Sequence, residues 1–210
     1  MNKRFSTALV LMALVAFGVG EALAQGGPPR RGGGGFGIVP MLVQTDAYPD
    51  GGIIPDKYSM YGGSTMPGFK ITAIPDSAKS MAVIFHDLDV AAGNNPEDNL
   101  HWMAWNIPVS GTTLTIEEGK LPQGATSKGM GGAAFMGPGA PYSPRYHHYI
   151  FEFYALSEPL DLPATAGRPE LLEAMKGKVV AKAAYAGRFR AAEGQGFGGG
   201  PPRGGPPPAR

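Results

Sequence analysis

Short apolar runs rich in β-branched and aromatic residues constrain the fold of this 210-residue chain most strongly. They occupy residues 81–85, 101–107, 149–156 and 179–189, and glycine-containing turn signals separate them. In the third run, aromatic side chains recur at every second position from residue 149 to 153. Because successive side chains of a strand point to opposite faces, this run predicts a strand with one aromatic face.

A single segment carries the signals of a helix. In residues 169–176 a proline stands first, Glu170 follows it, Lys176 comes last and Gly177 follows as a stop. Proline and acidic residues suit the first turn of a helix, and a cation followed by glycine suits its end. The sequence therefore predicts a mainly β (β-rich α+β) domain with one or two short helices.

Low-complexity segments rich in glycine and proline occupy residues 25–37 and 191–210. Such segments bury too little apolar surface to offset the entropy lost on ordering, so both are predicted to be flexible. The remaining residues, 38–190, have the length of one domain with its own core.

The first 24 residues have the pattern of a signal peptide. Lys3 and Arg4 precede an apolar run over residues 8–19, and small residues surround a predicted cleavage site after Ala24. The pattern predicts a periplasmic or secreted protein. The apolar run is too short for a membrane span, so no stable membrane insertion is expected.

The charge balance argues against nucleic acid as a partner. Removal of residues 1–24 would leave 16 basic and 16 acidic residues and a formal net charge of zero. Nucleic-acid binding depends on neutralisation of phosphates by a basic surface, which such a chain does not offer. The chain has no cysteine, so disulfides and a thiol nucleophile are excluded.

All four histidines fall in two short segments, at positions 86 and 101 and at positions 147 and 148. Imidazoles are costly to bury and often hold anions, metals or protons, so the two segments are expected to meet in a functional site. Asp87 and Asp89 end the first apolar run, where strand alternation would place both side chains on one face. By the same alternation, His86 should face away from Asp87 and be structural or solvent-exposed.

Common catalytic signatures are absent from the sequence. The glycine run at residues 129–132 is not followed by a helix pattern, and neither a nucleophile elbow nor a phosphate-binding Walker loop occurs. The histidines and aspartates are ligand types for zinc or iron, but they do not show His-x-x-x-His spacing. A metal-dependent enzyme therefore stays an alternative and not the leading interpretation.

Four motifs, taken in order, resemble those of the phosphatidylethanolamine-binding protein family, in particular its bacterial Raf-kinase-inhibitor-like (YbhB/YbcL-type) branch. They are residues 54–58, 80–89, 101–108, and 139–141 with 147–156. The likeness extends from about residue 54 to residue 189. It implies an antiparallel β-sheet domain with a small anion pocket at one end of the sheet.

The same resemblance assigns the residues of the pocket. They match the family's motif aspartates, histidines, loop residues and tyrosine, and are Asp87, Asp89, His101, Gly139, Pro141, His147 and Tyr149. The implied ligand is a small anion of the phosphate, phospholipid-headgroup or acetate type, bound without catalysis, metal or cofactor. Imidazole N–H groups, a tyrosine hydroxyl and glycine-loop amides can all donate to such an anion.

The chain departs from the family pattern at three positions near the pocket. Leu88 and Ala91 replace two prolines, which predicts a less rigid loop, and His148 replaces an arginine. Strand alternation would also allow His148 to point away from the pocket. Ligand identity therefore does not follow from the resemblance.

Two further interpretations stay open. The pocket residues could form a hydrogen-bonded network that only joins loops across the sheet end. Alternatively, the domain could be a protein-interaction or inhibitor module that uses the pocket as a docking point for a protein partner. Trp102 and Trp105 are expected in the core or the pocket wall, because the chain lacks the basic groove that single-stranded nucleic acid requires.

Overall fold

The computed structural model describes residues 39–91 and 96–195. The elements in this part of the chain are β1 (Val39–Pro40), β2 (Leu42–Gln44), β3 (Gly52–Ile53), a 3₁₀ turn (Asp56–Tyr58), β4 (Phe69–Thr72), β5 (Ser80–Asp87), β6 (Asn99–Pro108), β7 (Leu114–Ile116), β8 (Thr126–Gly129), β9 (His147–Leu156), α1 (Arg168–Met175) and β10 (Val179–Phe189). The predictions for residues 1–24, 25–37 and 196–210 lie outside the described residues. The mainly β class with one or two short helices is confirmed.

Seven strands form the main sheet in the order β1-β10-β9-β5-β6-β8, with β3 also beside β10. Its central strands β10, β9, β5 and β6 are those predicted from the apolar runs, and they pair antiparallel. The short strands β1 and β3 pair with β10 in parallel, so the sheet is not antiparallel throughout. Strands β2, β4 and β7 form a separate antiparallel sheet.

The small sheet packs on the aromatic face of β9. The ring centroid of Phe69 on β4 lies 4.9 Å from that of Phe151 and 5.1 Å from that of Phe153. Every second residue of β5, from Met81 to Phe85, faces the same core. The predicted alternation of β9 therefore buries its aromatic side chains between the two sheets.

Helix α1 covers the opposite face of the main sheet. Leu171 and Met175 of the helix share a buried cluster with Ile84 of β5 and Trp105 of β6. All eight residues of β5 are buried, because both faces of this strand are covered. This double burial explains why the run at residues 81–85 is continuously apolar and does not alternate.

The ends of α1 follow the predicted signals. Gly167 precedes the helix and donates its N–H to the Glu170 carboxylate over 2.9 Å. Gly177 adopts a positive φ of 74°, a conformation that favours glycine and ends the helix. None of the helices in the described ranges is long and apolar enough to cross a membrane.

Ordered packing reaches one residue past the predicted domain end at residue 190. Ala191 is buried, and its N–H donates to the Ala140 carbonyl over 2.9 Å. This contact ties the chain after β10 to the loop that precedes β9.

Candidate functional site

Three adjacent strands bring the predicted site residues together at one end of the main sheet. Asp87 is the last residue of β5, and it stands opposite Tyr149 of β9 and Asn99 of β6 in the register. His101 lies two residues into β6 from Asn99, and His147 begins β9. The sheet order β9-β5-β6 therefore makes neighbours of residues that are distant in the sequence.

Asp87 is the centre of the hydrogen bonds at this site. Its Oδ2 lies 2.8 Å from Nδ1 of His147, and its Oδ1 accepts the Asp89 N–H over 2.9 Å. The Tyr149 hydroxyl also bonds to Asp87. Burial, followed by the Asp87 charge, raises the pKa of Tyr149 well above its usual range, so the phenol keeps its proton.

Tyr149 holds the loop at residues 139–141, which has the sequence Gly-Ala-Pro. The N–H groups of Gly139 and Ala140 donate to its hydroxyl oxygen over 3.3 and 3.0 Å. From the sequence, these amides and the hydroxyl are expected to donate to an anion. In the structure they are donor and acceptor to one another, so Tyr149 shapes the loop and the imidazoles become the main candidates for ligand contact.

His101 is oriented by the same loop. Its Nδ1 lies 2.9 Å from the Gly137 carbonyl oxygen, and a carbonyl can only accept, so Nδ1 carries the proton of the neutral ring. Burial, which outweighs the opposing effect of Asp87, lowers the pKa of His101. Gly137 packs against Tyr58 so closely that an added Cβ would lie 1.8 Å from the Tyr58 carbonyl oxygen, so this position requires glycine.

A cavity of about 170 Å³ opens among these side chains. Its walls are formed by Met60, Asp87, Val90, Asn99, His101, Met130, Gly139, Ala140, Pro141, His147 and Tyr149. Six of the seven residues assigned from the sequence therefore line one cavity.

Asp89 is the assigned residue that does not line the cavity. Strand β5 ends at Asp87, and the chain then turns, so the two carboxylates do not share a strand face as expected. Asp89 Oδ2 instead accepts the His148 backbone N–H over 2.6 Å and lies 3.0 Å from His148 Nδ1. Partial burial raises the pKa of Asp89, but the hydrogen bonds from His148 outweigh it and hold that pKa below its usual range.

His148 and His86 both lie away from the cavity. The His148 side chain is 56% exposed, in agreement with strand alternation. His86 faces the opposite side of the sheet as predicted, but it is buried there. Its Nδ1 lies 2.7 Å from Asp98 and its Nε2 lies 3.3 Å from Glu152.

Five lining residues were not identified from the sequence, and they are Met60, Val90, Asn99, Met130 and Ala140. Asn99 could have been found, because it pairs with Asp87 in the β5–β6 register. The two methionines lie on loops that backbone hydrogen bonds fasten to the site, from Met60 N–H to Pro138 and from Met130 N–H to His101. No local sequence signal marks such contacts.

A larger groove of about 820 Å³ lies beside the small sheet, away from the histidines. Two of the three carboxylates that line it, Glu117 and Glu118, are already paired. Glu118 accepts from Tyr58 over 2.7 Å and bonds to Lys57, and Glu117 accepts from Lys120 over 2.7 Å. The smaller cavity is the stronger site candidate because buried titratable groups, Asp87 and His101 among them, line its wall.

The described residues contain no group of three or more histidine, aspartate or glutamate side chains placed to hold a metal ion. The metal-dependent alternative therefore gains no support from the arrangement of side chains. Trp102 and Trp105 are both buried in the cores and do not line the cavity.

Comparison of the sequence with known proteins identifies relatives along most of this domain. The family model described as "Phosphatidylethanolamine-binding protein" matches residues 44–190. A UPF0098 protein of Methanothermobacter thermautotrophicus is 34% identical over 154 residues, which cover 71% of this chain and 99% of that protein. The UPF0098 protein YbcL of Escherichia coli is 35% identical over 102 residues, which cover 45% of this chain and 54% of YbcL.

Solved structures share the fold. A Chlamydia trachomatis homologue of phosphatidylethanolamine-binding protein matches with a TM-score of 0.64 and 28% identity, over 73% of this chain and 99% of that one. The crystal structure of Escherichia coli YbcL matches with a TM-score of 0.63 over 73% of this chain and 100% of YbcL, and at 24% identity this match shows the fold alone. Since the family match spans more than half of the sequence, the chain belongs to the phosphatidylethanolamine-binding protein family.

Proposed function

We propose that this protein binds a small anion, a phosphate- or carboxylate-bearing molecule, in the cavity at the end of the main sheet and performs no chemistry on it. One observation carries the proposal. Two imidazoles, His101 and His147, line the same cavity, and each is fixed through its Nδ1 by a neighbouring acceptor. The second ring nitrogen, Nε2, is then the atom available to a ligand.

The size of the cavity favours a small charged group. Cavities that enclose a drug-sized molecule have volumes of roughly 300–1,000 Å³. The volume here, about 170 Å³, matches a headgroup or a small acid. A larger ligand would therefore leave its remainder outside, against the half-exposed Met130 at the wall of the cavity.

The lining residues favour binding over catalysis. None of the described residues around the cavity is serine, threonine or lysine, so neither a serine or threonine hydroxyl nor a lysine amine is offered as a nucleophile at this wall. The His147–Asp87 pair resembles the base and orienting acid of hydrolytic sites, but the residues that line the cavity include no serine or threonine hydroxyl beside them. Tyr149 is occupied by its bonds to the loop and to Asp87.

The proposal includes export to the periplasm or the medium, which rests on the sequence pattern of residues 1–24 alone. The intact mass of the protein recovered from its native host tests this part. A mass that corresponds to a chain starting at Gln25 would support export, and a retained N-terminus would refute it.

A docking role is the second candidate, and exposed apolar residues favour it. Leu88, Met130 and Tyr142 are each about half exposed, and each lies in the cavity wall or next to a residue that does. A partner peptide that carries an acidic or phosphorylated side chain would place that group in the cavity and contact these residues. Such a peptide is one form of the proposed anionic ligand.

Mass spectrometry of small molecules released from protein purified from its native host tests the proposal directly. Recovery of a phosphate- or carboxylate-bearing compound from the parent, and a reduced amount from His147→Ala, is the expected result. Equal recovery from both would contradict it. Incubation of the compound with the protein, followed by NMR, should show no conversion, and a new product would refute the non-catalytic role.

A further inference from the structure

The two imidazoles of the cavity have unlike partners. His147 Nδ1 faces the Asp87 carboxylate at 2.8 Å, whereas His101 Nδ1 faces the uncharged Gly137 carbonyl at 2.9 Å. A protonated His147 ring is therefore paired with an opposite charge. His101 is only 3% exposed. A protonated His101 ring would therefore be a buried charge against a neutral acceptor.

The charged groups around the cavity favour a positive charge on one imidazole ring and not on both. The groups that face the rings are Asp87 from β5, Tyr149 from β9 and the rings themselves, and among the described residues no lysine or arginine lines the wall. Positive charge on His147 disfavours positive charge on His101. With His147 protonated, His101 stays neutral and presents the lone pair of its Nε2.

Other donors at the site are already engaged. The Gly139 and Ala140 amides donate to Tyr149, and the Tyr149 hydroxyl bonds to Asp87. Pro141 has no N–H to offer. When the His147 ring is protonated, the ligand therefore meets a donor at His147 and an acceptor at His101, together with the Asn99 amide, which can donate or accept.

We infer that the cavity selects an anion that carries its own proton, a phosphate monoester in its monoanionic form, over unprotonated anions of the same charge. This inference rests on the proposed function. The His147 ring donates to a charged phosphate oxygen, and the P–OH group of the ligand donates to His101.

The chemistry of the candidate anions separates them at this pair of rings. A phosphate monoester loses its last proton with a pKa of about 6, so near that pH a large share keeps a P–OH group. A sulfate monoester and a phosphodiester carry the same single negative charge without a proton. Against His101 they would set an oxygen lone pair opposite a nitrogen lone pair, and an unmatched buried acceptor weakens binding.

Calorimetric titration of the full chain at about pH 6 with methyl phosphate, methyl sulfate and dimethyl phosphate tests the inference. Methyl phosphate should bind at least about tenfold more tightly than methyl sulfate, which has nearly the same size and charge. Binding of methyl sulfate within twofold of methyl phosphate would overturn the inference but leave the anion site standing. Absence of binding by all three probes, and by acetate titrated as a carboxylate probe, would overturn the proposed function itself. Tighter binding of dimethyl phosphate would favour a lipid headgroup and also overturn the inference.

Two variants of His101 test whether this residue causes the preference for methyl phosphate over methyl sulfate. His101→Phe removes the acceptor, so the ratio of the methyl phosphate and methyl sulfate affinities should fall to near one. His101→Gln supplies an amide oxygen and should restore part of the ratio. An unchanged ratio in the phenylalanine variant, with its native fold shown by tryptophan fluorescence, would overturn the inference. The comparison of the two probes on the parent protein stands even if a variant does not fold.

Discussion

Asp87 Oδ2 lies 2.8 Å from Nδ1 of His147, and this pair joins the end of β5 to the start of β9. Asp87 also bonds to Tyr149, which holds the loop at residues 139 and 140. One buried carboxylate thus orients a ring of the cavity and supports the residue that shapes its wall. The shape of the cavity and its ligand contacts are consequently linked through Asp87.

Replacement of Asp87 by asparagine should lower both stability and affinity for anions. The amide cannot accept from His147, Tyr149 and Asp89 with the same strength, and its NH₂ group would face donors. The expected loss in the free energy of unfolding is about 1–3 kcal/mol, measured by urea denaturation. Asp89→Asn, which alters a carboxylate outside the cavity, is the matched control and should leave methyl phosphate affinity nearly unchanged. Equal affinity losses in the two variants would contradict the central place of Asp87.

Tyr149→Phe should loosen the loop that Tyr149 holds. Without the hydroxyl, the Gly139 and Ala140 amides lose their acceptor, and hydrogen exchange of both amides, followed by NMR, should become faster. Tyr185→Phe removes another buried hydroxyl, which donates to the Tyr48 carbonyl over 2.6 Å, and serves as the control. Unchanged exchange at residues 139 and 140 in the Tyr149 variant would show that the hydroxyl does not support the loop.

The free energy of unfolding should decrease as pH is lowered through the range where histidine titrates. Burial lowers the pKa of His101 in the native state, so the unfolded chain takes up a proton more readily. The stability that the neutral ring provides is complete above about pH 6.5 and is lost as pH falls from there to the lower native pKa. Urea denaturation between about pH 7 and pH 5 measures this slope, and His101→Gln should flatten it. A parent slope equal to that of the variant would refute the prediction.

A second pH effect is expected from Glu152, a partly buried carboxylate on the opposite face of the sheet that contacts His86 and Lys182. Contact with His86, whose Nε2 lies 3.3 Å away, and then the hydrogen bond from Lys182 lower the pKa of Glu152 to about 2 against the opposing effect of burial. Because its native pKa is depressed, Glu152 stabilises the fold above its ordinary pKa of 4.5, and this contribution is lost as pH falls towards about 2. Glu152→Gln should reduce the loss of stability in that range. The helix-surface variant Glu173→Gln should retain the parent profile, and a match between the two variants would contradict the assignment.

The thermal midpoint should depend on whether a shortened chain ends after Ala191 or before it. A chain of residues 38–195 should keep the thermal midpoint of the full chain without its first 24 residues, because the Gly/Pro-rich ends are predicted to bury little. A chain that ends at residue 190 loses the buried Ala191 and its bond to Ala140, and should melt several degrees lower. Equal midpoints for chains that end at 190 and 195 would show that Ala191 contributes nothing. A lower midpoint for the 195 chain would show that a removed end packs on the domain.

The central strands and the helix could be predicted because their signals are local. The apolar runs at 81–85 and 149–156 lie within β5 and β9, and Gly177 marks the helix end. The small sheet was not predicted, since β2, β4 and β7 contain only three or four residues each. Strands this short depend on packing, such as that of Phe69 on Phe151, which has no signature in the sequence.

The sequence predicted which residues lie together at the candidate site better than it predicted what each of them contacts. The family resemblance brought together residues from three strands and from the loops beside them, and of the assigned residues only Asp89 lies outside the cavity wall. The turn that directs Asp89 to His148 is held by hydrogen bonds from Asp89 N–H to Asp87 and from Leu88 N–H to the His148 carbonyl. The use of Tyr149 as a loop support depends on distances between strand and loop, which spacing along the chain does not encode.

The contrast between adjacent histidines tests the account most directly. His147 lines the cavity on the Asp87 side, whereas His148, the next residue, is exposed and bonds to Asp89. Calorimetric titration with methyl phosphate should show that His147→Ala loses about 1–3 kcal/mol of binding free energy, as expected for removal of a charge-assisted hydrogen bond, while His148→Ala binds like the parent. Unchanged affinity in His147→Ala, or an equal loss in both variants, would contradict an anion site built on the His101 and His147 rings of the cavity.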